Sequence, residues 1–263
     1  MDYSHARHAG NAGDVHKHVA LLAVLSELTR SPEPLRYVET HAGDGVYPLA
    51  SVGEWGAGAL KVLEQREGLV GRYAEEVRRQ SPGGKLTRVP GSPLLASALL
   101  RPLDSMVLCE LDAQSASVLR RTLPAAQVRE EDGFAALPGL LQGRTVALVD
   151  PPYSRKEEWS QAARALIAAR RAAPEATLLL WYPVKALTRP RALIAELARG
   201  GLRGIALELH WTPLRLQRDR LNGSGLIVSG SGPAAVEAIL GAQARLGEAL
   251  NTHGEWGAVQ IGF

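Results

Sequence analysis

Short aliphatic runs punctuate this chain, and between them apolar side chains recur at every third or fourth position. The runs at residues 35–40, 105–110, 126–129, 145–149, 176–182, 205–211 and 225–229 read as strands, because near-continuous aliphatic sequence suits a strand buried on both faces. The helical spacing predicts helices over 157–172, 189–199 and 234–250. Strands that alternate with helices are joined by parallel crossovers, so six strands are expected to run parallel. The last two are joined by a loop instead, which reverses the seventh. The expected architecture is an α/β, Rossmann-like, seven-stranded sheet, mostly parallel with one antiparallel strand.

One gap breaks the alternation. About 65 residues separate the first strand from the second, much more than a crossover needs. A stripe of Leu60, Leu63, Val70, Tyr73 and Val77 marks a helix over 60–80, weakened by Gly68 and Gly71. The chain therefore reads as a single domain, 1–263, carrying a small helical insertion at 49–91. Seven Lys and Arg against five Glu between Glu54 and Arg88 make that insertion mildly basic.

Composition narrows the class further. With 46% hydrophobic and 22% charged residues the chain is globular, not disordered. A net charge of +3 permits a nucleic-acid partner without demanding one. The lone cysteine, Cys109, follows Met106, Val107 and Leu108, so its expected role is core packing. No apolar stretch has the length to cross a bilayer and the first residues do not form a signal peptide, so a cytoplasmic protein is expected.

The first 18 residues hold four of the seven histidines, His5, His8, His16 and His18, with Tyr3, Arg7, Asn11, Asp14 and Lys17. Zinc is disfavoured, since no cysteine is near and residues two apart on a helix point to different faces. The segment reads as a lining folded over the ligand edge of the sheet, with Asp14 as N-cap of a helix that carries Lys17 and His18. Farther on, Ser92 is expected to cap a helix with Pro93 at its first position.

The chemistry gathers at strand ends. Asp150-Pro151-Pro152-Tyr153 closes the run 145–149, and two prolines cannot donate to a ladder, so the chain leaves the sheet there. An aromatic-ring amine has a delocalised lone pair and no readily removed proton. A catalyst that transfers a group to it needs acceptors for both N–H groups, and the Asp150 carboxylate and Pro151 carbonyl supply them. Tyr153 offers a face to a base extruded from its stack. The first strand runs through Glu39 into His41-Ala42-Gly43-Asp44-Gly45, a glycine turn that allows close backbone approach to a ligand, with Glu39 placed to meet a cationic amine. Glu110 ends the second strand where it can accept from ribose hydroxyls, and Asp132 follows the third where it can accept from an adenine amine. Trp181-Tyr182-Pro183 ends the fifth, beside the proline turn.

Acidic side chains at four strand ends, with Asp-Pro-Pro-Tyr on the fourth, resemble the class I S-adenosylmethionine-dependent amino-methyltransferases. The strings His8-Ala9-Gly10-Asn11, Asp14-Val15, Lys17-His18, Thr40-His41-Ala42-Gly43, Pro90-Gly91-Ser92-Pro93, Asp132-Gly133-Phe134, Leu180-Trp181-Tyr182-Pro183-Val184 and Ser224-Gly225 bring the likeness closer. With the proline turn they resemble the 23S ribosomal RNA adenine-2030 N6-methyltransferase family, RlmJ. The resemblance implies that His18, His41, Gly43, Ser92, Glu110, Asp132, Gly133 and Asp150 hold S-adenosylmethionine, with no metal. It implies that Asp150, Pro151 and Tyr153 perform the transfer, and that Tyr3, His5, Asn11 and Lys17 form an N-terminal motif near donor and target. The implied partner is 23S ribosomal RNA, gripped in part by the insertion, and the implied state is a monomer without membrane contact. The shorter insertion, Asp44 and Val46 in the glycine turn, and Glu39 in place of the family's Asp are departures. A DNA adenine-N6 methyltransferase and a non-catalytic protein that binds the donor and RNA share these features. A nicotinamide-dependent oxidoreductase shares the glycine turn and ribose acid but gives the proline turn no purpose.

Overall fold

The computed structural model describes residues 8–51, 53–216, 220–251 and 253–263. Its strands are β1 (Arg36–Glu39), β2 (Val46–Pro48), β3 (Arg88–Pro90), β4 (Ser105–Cys109), β5 (Gln127–Arg129), β6 (Thr145–Val149), β7 (Thr177–Val184), β8 (Ile205–His210), β9 (Gly223–Ser229) and β10 (Gly257–Gly262). Its helices are α1 (Ala12–Leu28), α2 (Ala59–Val62), α3 (Gly68–Gln80), α4 (Ser92–Ser97), α5 (Ala113–Thr122), α6 (Gly133–Leu140), α7 (Glu157–Ala172), α8 (Thr188–Arg199) and α9 (Pro233–Leu250).

Successive side chains of a strand point to opposite faces, and here both faces are apolar. Val146, Leu148, Leu108, Tyr37 and Leu179 pack with α1, α5 and α9, while Ala147, Val149, Val107, Val38 and Leu178 pack with α6, α7 and α8. The sheet is thus the middle of three layers, in the order β10-β8-β9-β7-β6-β1-β4-β5. Strands β5, β4, β1, β6 and β7 pair in parallel. Strand β9 runs antiparallel between β7 and β8, the reversed strand that the loop before it predicts. The sheet has eight strands and not the expected seven, because β10 adds an antiparallel edge on β8 and so a second reversed strand.

Helix α1 is buried nearly all round from Ala12 to Leu25. One side lies on the sheet, and the other, through Val15, Val19 and Leu22, meets Val62, Val70, Tyr73 and Val77. The segment between β2 and β3 therefore docks on α1 and not on the sheet, and β2 and β3 pair as a ribbon at its base. The helix expected over 60–80 is broken into α2 and α3, with Gly68 opening α3 at φ +62°, a backbone that favours glycine. Two expected caps also move. Asn11, not Asp14, caps α1, accepting from the Asp14 N–H at 2.9 Å. Gly91, not Ser92, precedes α4. Cys109 is buried in the core, as the sequence implied. No helix among the described residues is long and apolar enough to cross a membrane.

Candidate active site

The order β6-β1-β4-β5 makes the strands that end in Asp150, Glu39, Glu110 and Asp132 immediate neighbours. Four segments up to 111 residues apart therefore meet at one carboxyl edge, the place where open α/β sheets take ligands.

On the β1, β4 and β5 side the backbone does the shaping. Gly43 has φ +61°, and its N–H donates to Glu110 Oε2 at 2.8 Å. The other Glu110 oxygen accepts from the Asp112 N–H at 2.9 Å, so both oxygens are held by main-chain donors. Gly133 brings the start of α6 so close to β1 that a Cβ there would stand 2.1 Å from the Thr40 carbonyl oxygen. Asp132 caps that helix, accepting from the Phe134 N–H at 2.9 Å. The His41 ring bonds the Thr40 hydroxyl at 2.7 Å and meets Phe134 edge-on, and burial lowers its pKa to about 4. Beside Glu110, Leu111 is 72% exposed, an apolar surface at a polar edge that strand-end reasoning missed.

The side at the end of β6 is a packed network of charges and rings. Lys17 Nζ donates to Asp150 Oδ2 at 2.5 Å and to Asp14 Oδ1 at 2.9 Å. Burial disfavours its charge, but the two carboxylates outweigh that and hold its pKa well above the ordinary lysine value. The ammonium also lies 5.7 Å from the Trp181 ring centroid, within cation–π range. Tyr153 is the one non-glycine residue with positive φ among the described residues, at 52°. Its hydroxyl donates to the Trp181 carbonyl at 2.7 Å, and Trp159 lies 4.4 Å from its ring. One aromatic surface of Tyr153 is therefore shared with Trp159. The turn after it is stapled by buried Glu158, which accepts from the Arg155 N–H and the Ser154 hydroxyl, each at 3.3 Å. Neither Trp159 nor Glu158 was singled out by the sequence, although an aromatic six residues past an Asp-Pro-Pro-Tyr turn was the available signal.

Between the two sides lies a buried bridge that corrects one expectation. Glu39 is fully buried, with Tyr37 donating to it at 2.7 Å and Ser92 at 2.5 Å. Both oxygens have partners inside the protein, so Glu39 does not stand open to a cationic amine. Desolvation raises its pKa to about 8, against the lowering effect of the Ser92 and Tyr37 hydrogen bonds. Ser92 is accordingly turned to Glu39.

The N-terminal residues divide. Asn11 serves as the α1 cap and reaches Glu54 of the insertion at 3.3 Å. His18 faces Tyr73 of α3, and burial depresses its pKa to about 3. His16 bonds Ser224 at 2.7 Å and is lowered to about 4 by burial. Tyr3 and His5 lie outside the described residues. Among the described residues no group of three His, Cys, Asp or Glu side chains forms a metal site.

Known proteins share this layout. The family model described as ribosomal RNA large subunit methyltransferase D, RlmJ, matches residues 32–258. The protein named ribosomal RNA large subunit methyltransferase J is 32% identical in Escherichia coli K12 over 87% of this chain and 86% of its own length. Its Haemophilus influenzae namesake is 30% identical over the same shares. A Legionella pneumophila protein of solved structure superposes with a TM-score of 0.90, covering 97% of this chain and 98% of its own, at 28% identity. With its parallel sheet, strand-end carboxylates and proline turn, the chain belongs to the RlmJ family of ribosomal RNA large subunit methyltransferases.

Proposed function

We propose that this protein transfers the methyl group of S-adenosylmethionine to the N6 amine of a flipped-out adenine in 23S ribosomal RNA. The observation that carries the reading is Asp150, a carboxylate at the end of a fully buried central strand, fixed by Lys17 at 2.5 Å and followed by two prolines.

The donor side fits the donor. An added Cβ would meet the Tyr47 hydroxyl at 1.9 Å at Gly43 and the Thr40 carbonyl oxygen at 2.1 Å at Gly133, so these glycines let the chain segments around this edge pack closely together. Glu110 would take ribose hydroxyls and Asp132 the adenine amine, with His41 beside them. Leu111 offers an apolar face to a flat ring. When bound, S-adenosylmethionine supplies a methyl carbon on a positively charged sulfur, which an amine can attack directly.

The chain supplies position and charge. Asp150 and the Pro151 carbonyl accept the two N–H bonds of the target amine and turn its lone pair toward the methyl carbon. As the N–C bond forms, the S–C bond would break with its electron pair left on sulfur in S-adenosylhomocysteine, and nitrogen gains positive charge, which the Asp150 carboxylate stabilises until the proton passes to water. Lys17 keeps that carboxylate from rotating. Tyr153, locked by its hydroxyl bond to Trp181, presents a fixed ring edge to the extruded base.

Segment 49–91 acts in this reading as an insertion subdomain that helps hold RNA, with Arg66, Lys85 and Arg88 exposed on it. The enzyme works as a monomer in the cytoplasm, where ribosomal RNA is. Its exposed large apolar residues, among them Leu60, Leu103, Leu187 and Leu216, are scattered over separate elements.

The test is transfer of labelled methyl to undermodified 23S ribosomal RNA, with DNA as competitor. Asp150→Ala should lose on the order of 10²–10³ in kcat, the scale of one preorganised transition-state contact. Its affinity for S-adenosylhomocysteine should stay within a few-fold. Equal transfer by wild type and variant would contradict the assignment, and equal use of DNA would replace the substrate.

A further inference from the structure

The aromatic contact of Tyr153 does not stop at the target loop. Trp159, at 4.4 Å from Tyr153, continues into a cleft of about 140 Å³ between the first turn of α7 and one side of α8 from Arg189 to Glu196. Lys156, Trp159, Ser160, Arg189, Leu193 and Glu196 line it. The Arg189 guanidinium lies 6.0 Å from the Trp159 ring centroid, and both Arg189 and Lys156 are exposed. The Trp159 indole N–H has no acceptor among the described residues, so the ring is held by its faces alone. None of these groups takes part in the site described above, except through the Tyr153 ring.

An aromatic plane flanked by two exposed cations is the chemistry that takes a single-stranded nucleotide: the ring stacks the base and the cations hold phosphate. Flipping one adenine also leaves its neighbour with an open face that needs a new stacking partner. We propose that this cleft is a second nucleotide subsite, where Trp159 stacks a base adjacent to the target adenine while Arg189 and Lys156 hold the phosphate joining them. Arg189 lifts from the ring to admit the base. The inference rests on the function proposed above, and it places part of RNA recognition on the sheet side of the molecule, apart from the insertion.

The experiment measures KM and kcat for undermodified 23S ribosomal RNA, the salt dependence of KM, and S-adenosylhomocysteine affinity. It compares wild type with Trp159→Ala, Trp159→Phe and Arg189→Ala. Trp159→Ala should raise KM for RNA by roughly 5- to 150-fold, the range of one stacked base, with Trp159→Phe recovering most of it. Arg189→Ala should lower the slope of log KM against log salt by about 0.7, one single-strand phosphate contact. S-adenosylhomocysteine affinity should not move in either. Because Arg189 is exposed, its variant does not depend on how the core tolerates a change at Trp159. Unchanged KM and salt slope in a wild-type-active series would overturn the subsite while leaving the methyltransferase reading intact. A Trp159→Ala variant that loses only kcat or thermal stability would show a packing role and overturn it too. Wild-type protein inert on RNA would overturn both.

Discussion

The two halves of the site are built differently. Of the donor and target sides proposed above, the donor side is written into the backbone: glycines that let neighbouring segments pack closely, and carboxylates held by N–H groups within a few residues or one strand away, as Glu110 is by Gly43 and Asp112. The target side depends on side chains that come from distant parts of the chain and are packed hard together. Lys17 and Asp150 are 133 residues apart, and Tyr153 hangs from Trp181, 28 residues on. A backbone-shaped half tolerates side-chain change where no atom is near and fails where a Cβ must intrude. A side-chain network fails when any charged member is removed. The contrast can be broken at four points.

The largest effect is expected at Lys17. Lys17→Met leaves Asp14 and Asp150 facing each other without their cation, and loss of one partner of a buried pair costs about 3–5 kcal/mol. Thermal melting should show a fall of roughly 2–4 °C for each kcal/mol in a chain of this size. Methyl transfer should fall with it. The double variant Lys17→Met/Asp14→Leu should recover part of the stability, and strict additivity would show that the ion pairs are not coupled.

Next comes a pair within one helix of the donor side. Gly133→Ala drives a methyl into the Thr40 carbonyl and should cost about 1–3 kcal/mol together with donor affinity. Gly139→Ala, with no atom within 4 Å of the new carbon, should be neutral or gain up to about 1 kcal/mol of helix propensity. Calorimetry with S-adenosylhomocysteine should separate them, and equal effects would deny that close approach shapes this half.

The buried bridge gives a pH signature. Glu39 keeps its proton in the folded state to about pH 8, whereas the unfolded chain releases it near 4.5. The folded state therefore binds the extra proton between those values, and stability falls as pH rises through that window. The rings of His16, His18 and His41, held neutral down to about pH 4, 3 and 4 by burial, act oppositely: stability falls as pH drops below 6.5. Between pH 6.5 and 8 only the Glu39 effect remains of these, so the wild-type melting temperature should decline there. Glu39→Gln should flatten that decline, and an unaltered slope would assign it to another group.

The smallest effect is expected from Tyr153→Phe. It removes one hydrogen bond to the Trp181 carbonyl, worth about 0.5–1.5 kcal/mol. A melt and a KM for RNA measured together would show whether the bond steadies the fold or the ring.

The same contrast explains what could be read in advance. Strands β1, β4, β6 and β7 were legible because burial on both faces forces continuous aliphatic runs. That Glu39, Glu110, Asp132 and Asp150 end strands was legible for the same reason, and the strand order brings those ends to one edge. Strand β10 was missed because it is an edge strand, with alternate residues exposed and glycine at both ends. The helix over 60–80 was misdrawn before Gly68, which starts α3 at φ +62°, and the residues ahead of it fold back so tightly that a Cβ on Gly71 would meet the Arg66 carbonyl carbon at 2.3 Å. Glu39 was misread since a strand-end acid looks open until Tyr37 and Ser92 close over it. The Lys17–Asp150 pair left no local trace, because nothing in the spacing of two charges so far apart along the chain says that α1 crosses the end of β6.

The most direct test of the central claim is the identity of the modified nucleoside. Undermodified 23S ribosomal RNA treated with the purified protein and S-adenosylmethionine should be digested and read by mass spectrometry. The expected product is N6-methyladenosine at one position, absent with Asp150→Ala. A methyl group on another atom or another base, or no methyl at all on RNA, would contradict a site in which Asp150 and the Pro151 carbonyl hold an exocyclic adenine amine.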